Sequence, residues 1–262
     1  VPQRCAEAVG RQIETLLHAV DTHPDRLLLA RGAADIRRAK AEGKVAAIIG
    51  LEGAEPLDEH IELLPIFHRL GVRVLGLTWN FRNAVADGVM EGEKAGGLTP
   101  FGRQVVEACN RLGIVLDVSH LAPAGVADVL ALSRQSVIAS HSNAAARFSH
   151  YRNLNDAQIA DIAAGGGLIG VTFVNAFLHA PADQATLAHV LDQIDYLLRV
   201  AGPEHVMIGS DFDGAVMPQG LEDATRYPAL TAGMLARGHS EAVVRQVLGL
   251  NFLRVFSAVC GE

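Results

Sequence analysis

The chain has 262 residues, of which 50% are hydrophobic, and its formal net charge is −7. A chain of this length can bury a sizeable core, either as one large α/β domain or as two small ones. The negative charge argues against nucleic acid as a partner, because nucleic acid attracts surfaces rich in lysine and arginine. No run of about 18 uninterrupted apolar residues is visible, so the sequence predicts no membrane span. The three cysteines are far apart and form no CxxC pair, which favours reduced thiols over a disulfide framework.

Six apolar runs are typical of buried parallel strands, because their hydrophobic residues follow one another instead of alternating with polar ones. They are VAAIIGL (45–51), VRVLGLT (72–78), IVLDVS (114–119), SVIAS (136–140), LIGVTFV (168–174) and VMIGS (206–210). The intervals between them leave room for a helix after nearly every strand. The sequence therefore predicts a parallel sheet with helices outside it.

Helical patterns occupy these intervals. Thr99 and Pro100 are typical of the cap and the first position of a helix that continues toward residue 113. The other predicted helices cover residues 11–20, 58–71, 182–202 and 240–259, the last as one long helix at the end of the chain. Two segments rich in glycine and charge, 80–97 and 213–223, follow strands and are predicted to be loops.

Side chains that can bind a metal or act as acid or base stand at the ends of four predicted strands. Glu52 follows the first run, His120 the third, His141 the fourth and Asp211 the sixth. In α/β barrels the carboxyl ends of all strands share one face, and that face carries the active site. A lone histidine after a strand is more often structural, and an aspartate there can simply cap the next turn. Four such residues at equivalent positions favour a shared site.

This set of side chains fits metal-assisted hydrolysis of an amide or ester. Two neutral imidazoles and a carboxylate make a three-ligand catalytic zinc set that leaves a position for water. Zinc lowers the pKa of that water to about 7, which provides hydroxide at neutral pH. Asp211 could accept its proton and transfer it to a leaving amine. A Ser/His/Asp triad is disfavoured, because Ser119 and Ser140 precede their histidines and no GxSxG elbow is present.

Longer motifs are distributed from about residue 45 to the C-terminus, and their order and spacing can be compared with those of known families. They are GLEGAEPLD (50–58), LGVRVLGLTWN (70–80), GLTPFGRQVVEACNRLGIVLDVSH (97–120), SHSNA (140–144), YRNLND (151–156), IGSDFDG (208–214), GLED (220–223) and GLNFLRVF (249–256). Together they resemble the membrane (renal) dipeptidase family of zinc metallopeptidases, peptidase family M19. The resemblance implies a TIM-like (β/α)8 barrel.

The resemblance also implies roles for individual residues. Glu52 resembles the carboxylate that bridges two zinc ions, and His120 and His141 resemble the histidines that complete the shell of one of them. Arg152 resembles the arginine that binds the substrate's terminal carboxylate, a task suited to its bidentate fork. Asp211 resembles the acidic residue that handles the proton or holds the substrate's amino group. The expected cofactor is zinc, binuclear in the family, and the expected catalytic residues are Asp211 and Glu52.

Three features depart from the family pattern. No predicted strand carries the His-x-Asp pair that supplies the other zinc's ligands in the family, and Asp21 and His23 stand in the reverse order and follow no strand. Six strands are predicted where a closed barrel needs eight. We therefore expect a single barrel domain over residues 1–262 that is incomplete at its N-terminus and lacks the first two βα units. Trp79 stands where the family often has a histidine that steadies the scissile carbonyl, and it could face the substrate as a wall or pack under its loop.

The leading hypothesis is a zinc-dependent dipeptidase that acts on dipeptides with a free C-terminal carboxylate. One alternative is a related amidohydrolase for another small amide, a β-lactam or a lactone, and another is a family member without catalytic activity. The expected partner is a dipeptide or similar small substrate, and a homodimer stays open. The cytoplasm is favoured as location. Because the first residue is Val1 and nothing near it resembles a signal peptide, either a leader has been removed or the sequence starts partway into a longer one.

Overall fold

The structure is a computed structural model that describes residues 2–262, with side chains described from Cys5 onward. The chain divides into two compact units, Val1–Ser136 with Leu253–Glu262 and Val137–Phe252. Both consist of parallel strands and the helices that follow them, so the predicted α/β class is confirmed. The expectation of a single domain over residues 1–262 stays a prediction.

The first unit contains five strands within its described residues. They are β1 (Leu27–Leu29), β2 (Val45–Ala47), β3 (Ile49–Leu51), β4 (Val72–Gly76) and β5 (Val115–Asp117). Strand β1 pairs with β2, β3 pairs with β4, and β4 pairs with β5, all in parallel. The helices are α1 (Pro2–Thr22), α2 (Ala33–Ala41), α3 (Leu63–Leu70), α4 (Pro100–Leu112) and α5 (Pro123–Leu132), with 3-10 turns at Glu55–Leu57 and Val89–Lys94.

The second unit contains β6 (Ile138–Ala139), β7 (Leu168–Val171) and β8 (Val206–Ile208), paired in parallel in that order. Its helices are α6 (Asp156–Ala164), α7 (Leu187–Val200), α8 (Tyr227–Ala236) and α9 (Glu241–Arg245). A π-helical segment, Gln246–Leu250, leads into α10 (Asn251–Cys260). Short 3-10 turns lie at Asn175–Phe177, Ala182–Gln184, Pro203–His205 and Ala224–Arg226.

All six predicted apolar runs contain strand residues. Every residue of β5 and of β7 is buried, which explains why hydrophobic residues follow one another there. The first run, 45–51, is wrong in one respect, because it is divided at Ile48 into β2 and β3. The two halves pair with different neighbours, β1 and β4, and the register shifts between Ile49 and Gly50. Strand β1 was not predicted, because three residues are too few to show a periodicity.

Helix α4 begins as predicted, whereas two other predicted helices have the wrong extent. Thr99 Oγ1 accepts a hydrogen bond of 2.9 Å from the Gly102 backbone, and Pro100 is the first helical residue. Helix α3 begins only at Leu63, because Asp58 and Glu59 have left-handed φ angles of 41° and 62°. The predicted helix over 182–202 is observed as α7, after the short turn at Ala182–Gln184.

The long C-terminal helix predicted over 240–259 is interrupted. Gly249 has non-helical backbone angles within the π-helical segment. After this interruption the buried Asn251 side chain donates hydrogen bonds to Pro203 O at 2.7 Å and to Val206 O at 2.8 Å. The whole stretch Glu241–Cys260 has the length and mean hydropathy, 1.4, that a membrane span requires. Core helices pass the same test, so this is weak evidence for a span.

A buried arginine forms hydrogen bonds that link three segments of the first unit. Arg73 on β4 is 8% exposed, and burial lowers the pKa of its guanidinium. Its Nε donates to Arg31 O at 2.7 Å, and its Nη1 donates to His68 O at 2.9 Å and to Val72 O at 2.8 Å. The guanidinium thereby satisfies a carbonyl in the last turn of α3 and another just before α2.

We expect Arg73→Met to destabilise the protein by about 3 kcal/mol, because three hydrogen bonds to a charged donor are lost and their carbonyls stay largely buried. Urea unfolding of the two proteins measures the difference. The matched control is Arg69→Met, at an exposed position of α3, which should change stability by less than about 0.5 kcal/mol. Equal stabilities of the two variants would contradict the role of Arg73.

An ion-pair cluster joins two helices of the second unit. Asp195 on α7 lies 2.6 Å from Arg237 Nη1 and 2.6 Å from His239 Nε2, both of which follow α8. Arg237 Nη1 also lies 2.8 Å from Asp192 Oδ1. Burial opposes ionisation of Asp195, but the hydrogen bonds from His239 and Arg237 outweigh it and lower the pKa of the carboxyl below its ordinary value of 3.8.

Because the folded-state pKa of Asp195 is lowered, its contribution to stability is present above pH 3.8 and is lost as the pH falls through the folded-state value. We therefore expect Asp195→Asn to be less stable than the parent by up to about 1 kcal/mol near neutral pH, since solvent screens a side chain that is 38% exposed. The difference in unfolding free energy between the parent and Asp195→Asn should disappear as the pH falls below the ordinary pKa of 3.8. Asp161→Asn, at an exposed position of α6, is the control and should show no such closure.

Candidate metal centre

The first carboxylate of the predicted site stands directly after β3. Glu52 is followed by Gly53, whose φ of 106° is left-handed and whose added Cβ would lie 2.1 Å from Glu55 Oε2. The left-handed φ favours glycine at this turn, whereas the Glu55 side chain could move away from an added Cβ. The turn ends the strand and leaves the Glu52 side chain 54% exposed.

His120 brings its imidazole to this carboxylate from the end of β5. Its Nε2 lies 3.0 Å from Glu52 Oε1, and its side chain is 8% exposed. His120 has a left-handed φ of 68°, an uncommon conformation for a non-glycine residue. Just before it, Asp117 Oδ1 accepts a hydrogen bond of 3.0 Å from the Ser119 backbone and orders the turn.

The tautomer of His120 determines which of its nitrogens can bind a cation beside Glu52. His120 Nδ1 lies 2.8 Å from Asn80 Oδ1 and donates a hydrogen bond to it. In a neutral imidazole Nε2 then carries a lone pair, which faces the carboxylate of Glu52. Two acceptors this close together repel unless they share a cation, either a proton or a metal ion. An imidazole held through its other nitrogen is typical of a metal ligand.

Trp79 lies beside His120 and is accessible. Its ring centroid is 5.9 Å from that of His120 and 6.3 Å from that of Phe81. The side chains of Trp79 and Phe81 are 48% and 54% exposed. Trp79 therefore does not pack under its loop, which was one of the two alternatives left open by the sequence.

In the second unit, His141 and Arg152 lie close together. His141 follows β6, and its Nδ1 lies 2.7 Å from Ser140 Oγ. Arg152 is 4% exposed, its Nη2 donates to His141 O at 3.3 Å, and its guanidinium lies over the ring of Phe177 at 5.6 Å. The cation is thereby held on an aromatic face near the backbone of a predicted ligand.

His150 supports the position of Arg152 as a neutral imidazole. Its Nδ1 accepts a hydrogen bond of 3.2 Å from the Arg152 backbone, and its ring lies 4.5 Å from that of Phe177. Burial, together with the charge of Arg152, lowers the pKa of His150. A neutral ring can accept that hydrogen bond through Nδ1, whereas a protonated ring cannot.

Asp211 follows β8 in a turn of unusual backbone conformation. Asp211 and Asp213 have left-handed φ angles of 64° and 67°. A Cβ added at Gly214 would lie 2.6 Å from Asp211 Oδ1, so a larger residue there would displace the Asp211 carboxylate. Between the two aspartates, the Phe212 ring packs edge-on against Phe173 at 5.6 Å and anchors the turn.

Among the described residues, Glu52 and His120 of the first unit and His141 of the second are side chains that could each bind a metal ion. One carboxylate and two imidazoles are a donor set that suits zinc. Asp21 and His23 belong to no such group of described residues: Asp21 lies in α1, and His23 Nδ1 contacts Thr22 Oγ1 at 3.0 Å, at the end of that helix.

Sequence reasoning did not assign the residues that position these side chains. Asn80, Ser140, His150 and Phe177 make their contacts through the folded chain. The one available signal was adjacency, because Asn80 follows Trp79 and Ser140 precedes His141 at strand ends.

Comparison with known proteins assigns a family. The family model of membrane dipeptidase, peptidase family M19, matches residues 4–260. Dipeptidase tcpJ of Claviceps purpurea (strain 20.1) is 36% identical over 253 residues, which are 95% of this chain and 59% of that protein. Dipeptidase verJ of Clonostachys rogersoniana is 35% identical over 254 residues, 96% of this chain and 65% of that protein. The chain thus spans less than two thirds of the length of these curated relatives.

Solved structures agree with this assignment. A metallopeptidase of family M19, dipeptidase AC, has a TM-score of 0.95 at 36% identity, covering 99% of this chain and 79% of its own. An amidohydrolase from Pseudomonas aeruginosa has a TM-score of 0.93 at 31% identity, covering 98% and 86%. A metallopeptidase from Rhodobacter sphaeroides, liganded with a phosphinate mimic of the dipeptide L-Ala-D-Ala, has a TM-score of 0.90 at 37% identity, covering 94% and 72%. The TIM-like fold class predicted from the sequence is thereby confirmed, and the chain belongs to the membrane dipeptidase family, peptidase family M19.

Proposed function

We propose that this protein is a zinc-dependent dipeptidase that hydrolyses dipeptides with a free C-terminal carboxylate. The observation that carries the proposal is the distance of 3.0 Å between Glu52 Oε1 and His120 Nε2, with His120 Nδ1 bonded to Asn80. Two relatives named dipeptidase and a related structure with a bound dipeptide mimic support the substrate class.

Glu52, His120 and His141 are the residues that we assign to the metal. When bound, zinc supplies Lewis acidity, which polarises a carbonyl and lowers the pKa of water to about 7. Glu52 would be the carboxylate shared with a second ion in a binuclear site. Asn80 keeps the proton of His120 on Nδ1, so that Nε2 offers its lone pair.

The remaining residues act on the substrate in this proposal. Arg152 binds the free carboxylate, since its buried guanidinium is already positioned on Phe177. Asp211 accepts the proton of the attacking water and passes it to the amine as the carbon–nitrogen bond breaks. Trp79 forms an apolar wall beside His120.

Two features of the sequence leave the alternative functions open. Trp79 in place of a histidine favours a related amidohydrolase that acts on another small amide, a β-lactam or a lactone. No predicted strand of residues 1–262 carries the family's His-x-Asp pair, and a family member without catalytic activity is the alternative that this leaves open. A purified protein that binds no zinc and hydrolyses none of these compounds would establish the second alternative.

We expect Glu52→Gln to lose bound zinc and to reduce dipeptide hydrolysis by at least about 1,000-fold, because the amide carries no charge to neutralise the metal. Elemental analysis and a ninhydrin assay measure the two effects. Glu59→Gln replaces an exposed carboxylate of the same loop and should leave both unchanged. Full zinc content and turnover in Glu52→Gln would refute the proposed ligand.

We expect Arg152→Met to raise KM for dipeptides about 100-fold, because a charge-assisted pair with the substrate carboxylate is lost. The same variant should hydrolyse a dipeptide amide, a β-lactam ester or a lactone as the parent does, because these lack the free carboxylate. Arg147→Met, at an exposed arginine of the same unit, is the control. Equal KM values for dipeptides in the parent and in a folded Arg152→Met variant would contradict selection of the carboxylate by Arg152. A parent protein that prefers the lactone or the β-lactam as substrate would favour the related amidohydrolase.

A further inference from the structure

Two hydrogen bonds tie His150 to the residues that follow it in the loop between β6 and α6. Its Nδ1 accepts a hydrogen bond of 3.2 Å from the Arg152 backbone, and its carbonyl accepts one of 3.0 Å from the Asn153 backbone. The guanidinium of Arg152 is the group that the proposed function assigns to the substrate carboxylate. The imidazole of His150 therefore fixes the stretch of backbone from which this arginine extends.

The rings around His150 also connect it to the Arg152 side chain. The His150 ring lies 4.3 Å from that of Tyr151 and 4.5 Å from that of Phe177. The Arg152 guanidinium lies over the same Phe177 ring, at 5.6 Å. Asn153 Nδ2 donates a hydrogen bond of 2.9 Å to Phe177 O and holds the turn that carries this ring. Because the imidazole and the guanidinium share one aromatic support, a movement of the His150 ring would disturb both the backbone and the side chain of Arg152.

The protonation state of His150 decides whether its bond to Arg152 can form. A neutral imidazole offers a lone pair on Nδ1, whereas an imidazolium carries hydrogens on both nitrogens and would set a donor against the Arg152 N–H. The new positive charge would also be repelled by the guanidinium. Burial, and to a smaller extent the charge of Arg152, lowers the pKa of His150 below its ordinary value of 6.5. The bonded, neutral form is therefore the one present at neutral pH.

The groups that face His150 bring no negative charge to stabilise a proton. Within the described chain, Tyr151 and Arg152 are the titratable residues in contact with it, and both belong to its own loop. The turn Asn175–Phe177, which packs against the ring, has no titratable side chain. Phe177 could attract an imidazolium, but its ring already holds the guanidinium of Arg152. Protonation of His150 is thus opposed by the same residue that the neutral ring positions.

We propose that His150 is a positioning residue for carboxylate recognition: its neutral imidazole holds Arg152 in place, and its protonation releases Arg152 and weakens the binding of substrates with a free carboxylate. This inference rests on the proposed function, because it takes Arg152 as the group that binds the substrate carboxylate. It deepens that function, because it makes substrate selectivity depend on pH through a residue that is assigned neither to the metal nor to the scissile bond.

The pH dependence of KM tests the proposal in the zinc-loaded protein. KM is measured for a dipeptide and for the corresponding dipeptide amide from about pH 7.5 to about pH 5, where the dipeptide carboxylate, with an ordinary pKa of about 3.5, stays ionised. We expect the ratio of the dipeptide KM to the amide KM to rise about tenfold as the pH falls, because effects at the metal act on both substrates and cancel. The midpoint should lie below 6.5 and match the titration of the His150 ring followed by NMR. A constant ratio would overturn the proposal.

Two substitutions separate the hydrogen bond of His150 from the packing of its ring. The carboxamide oxygen of His150→Asn can accept from the Arg152 backbone at any pH, so this variant should keep the KM of the parent at neutral pH and lose the rise at low pH. His150→Phe keeps an aromatic ring but removes the acceptor, so we expect the dipeptide KM to rise about tenfold at every pH, with kcat and the amide KM unchanged. His60→Asn, at an exposed histidine of the first unit, is the control and should behave as the parent does.

Arg152→Met in the same assays distinguishes a failure of this inference from a failure of the proposed function. If Arg152→Met raises the dipeptide KM and His150→Phe leaves it at the parent value, the role of His150 is wrong and the proposed function stands. If Arg152→Met also leaves the dipeptide KM unchanged, carboxylate recognition by Arg152 is wrong, and the role of His150 falls with it.

Discussion

The short distance between a carboxylate and an imidazole is the constraint on which the chemistry of this chain depends. Glu52 and His120 come from the ends of different strands, and their facing atoms are 3.0 Å apart. Because His120 Nδ1 donates a hydrogen bond to Asn80 Oδ1, Nε2 of the neutral imidazole is an acceptor, and the two facing atoms then need a proton or a metal ion between them. The His120 side chain is only 8% exposed, so water does not fully screen the repulsion between the two acceptors, and a positive charge between them is needed.

The backbone around the candidate site is held in conformations that most residues avoid. His120, Asp211 and Asp213 all have left-handed φ angles. Such angles persist only where the surroundings fix them, and here a buried aspartate orders one turn and an aromatic cluster anchors the other. At the neighbouring turn positions, the left-handed φ of Gly53 favours glycine, and Gly214 leaves room for the Asp211 carboxylate. Rigid turns of this kind place acidic and basic groups with little freedom, which lowers the entropy lost on binding a metal or substrate.

One region of the second unit offers a positive charge for recognition. Arg152, held between Phe177 and the backbone of His141, offers a cation for an anionic group. The guanidinium of Arg152 is buried against an aromatic ring, and a charge removed from water interacts more strongly with its partner.

The sequence by itself determined the α/β class and the four strand-end residues. Each apolar run and the residue that follows it are adjacent in the chain, so both can be recognised without knowing how the chain packs. Its longer motifs also indicated the family. Only the tertiary structure decided that 45–51 divides between two pairing partners, that Leu27–Leu29 is a strand, and that the C-terminal helix is interrupted before Asn251. The same holds for the contact of Asn80 with His120, forty positions apart, and for the contact of His150 with Phe177. Periodicity reports which face of a segment is apolar, whereas pairing partners and hydrogen bonds between distant residues are fixed only when the chain packs.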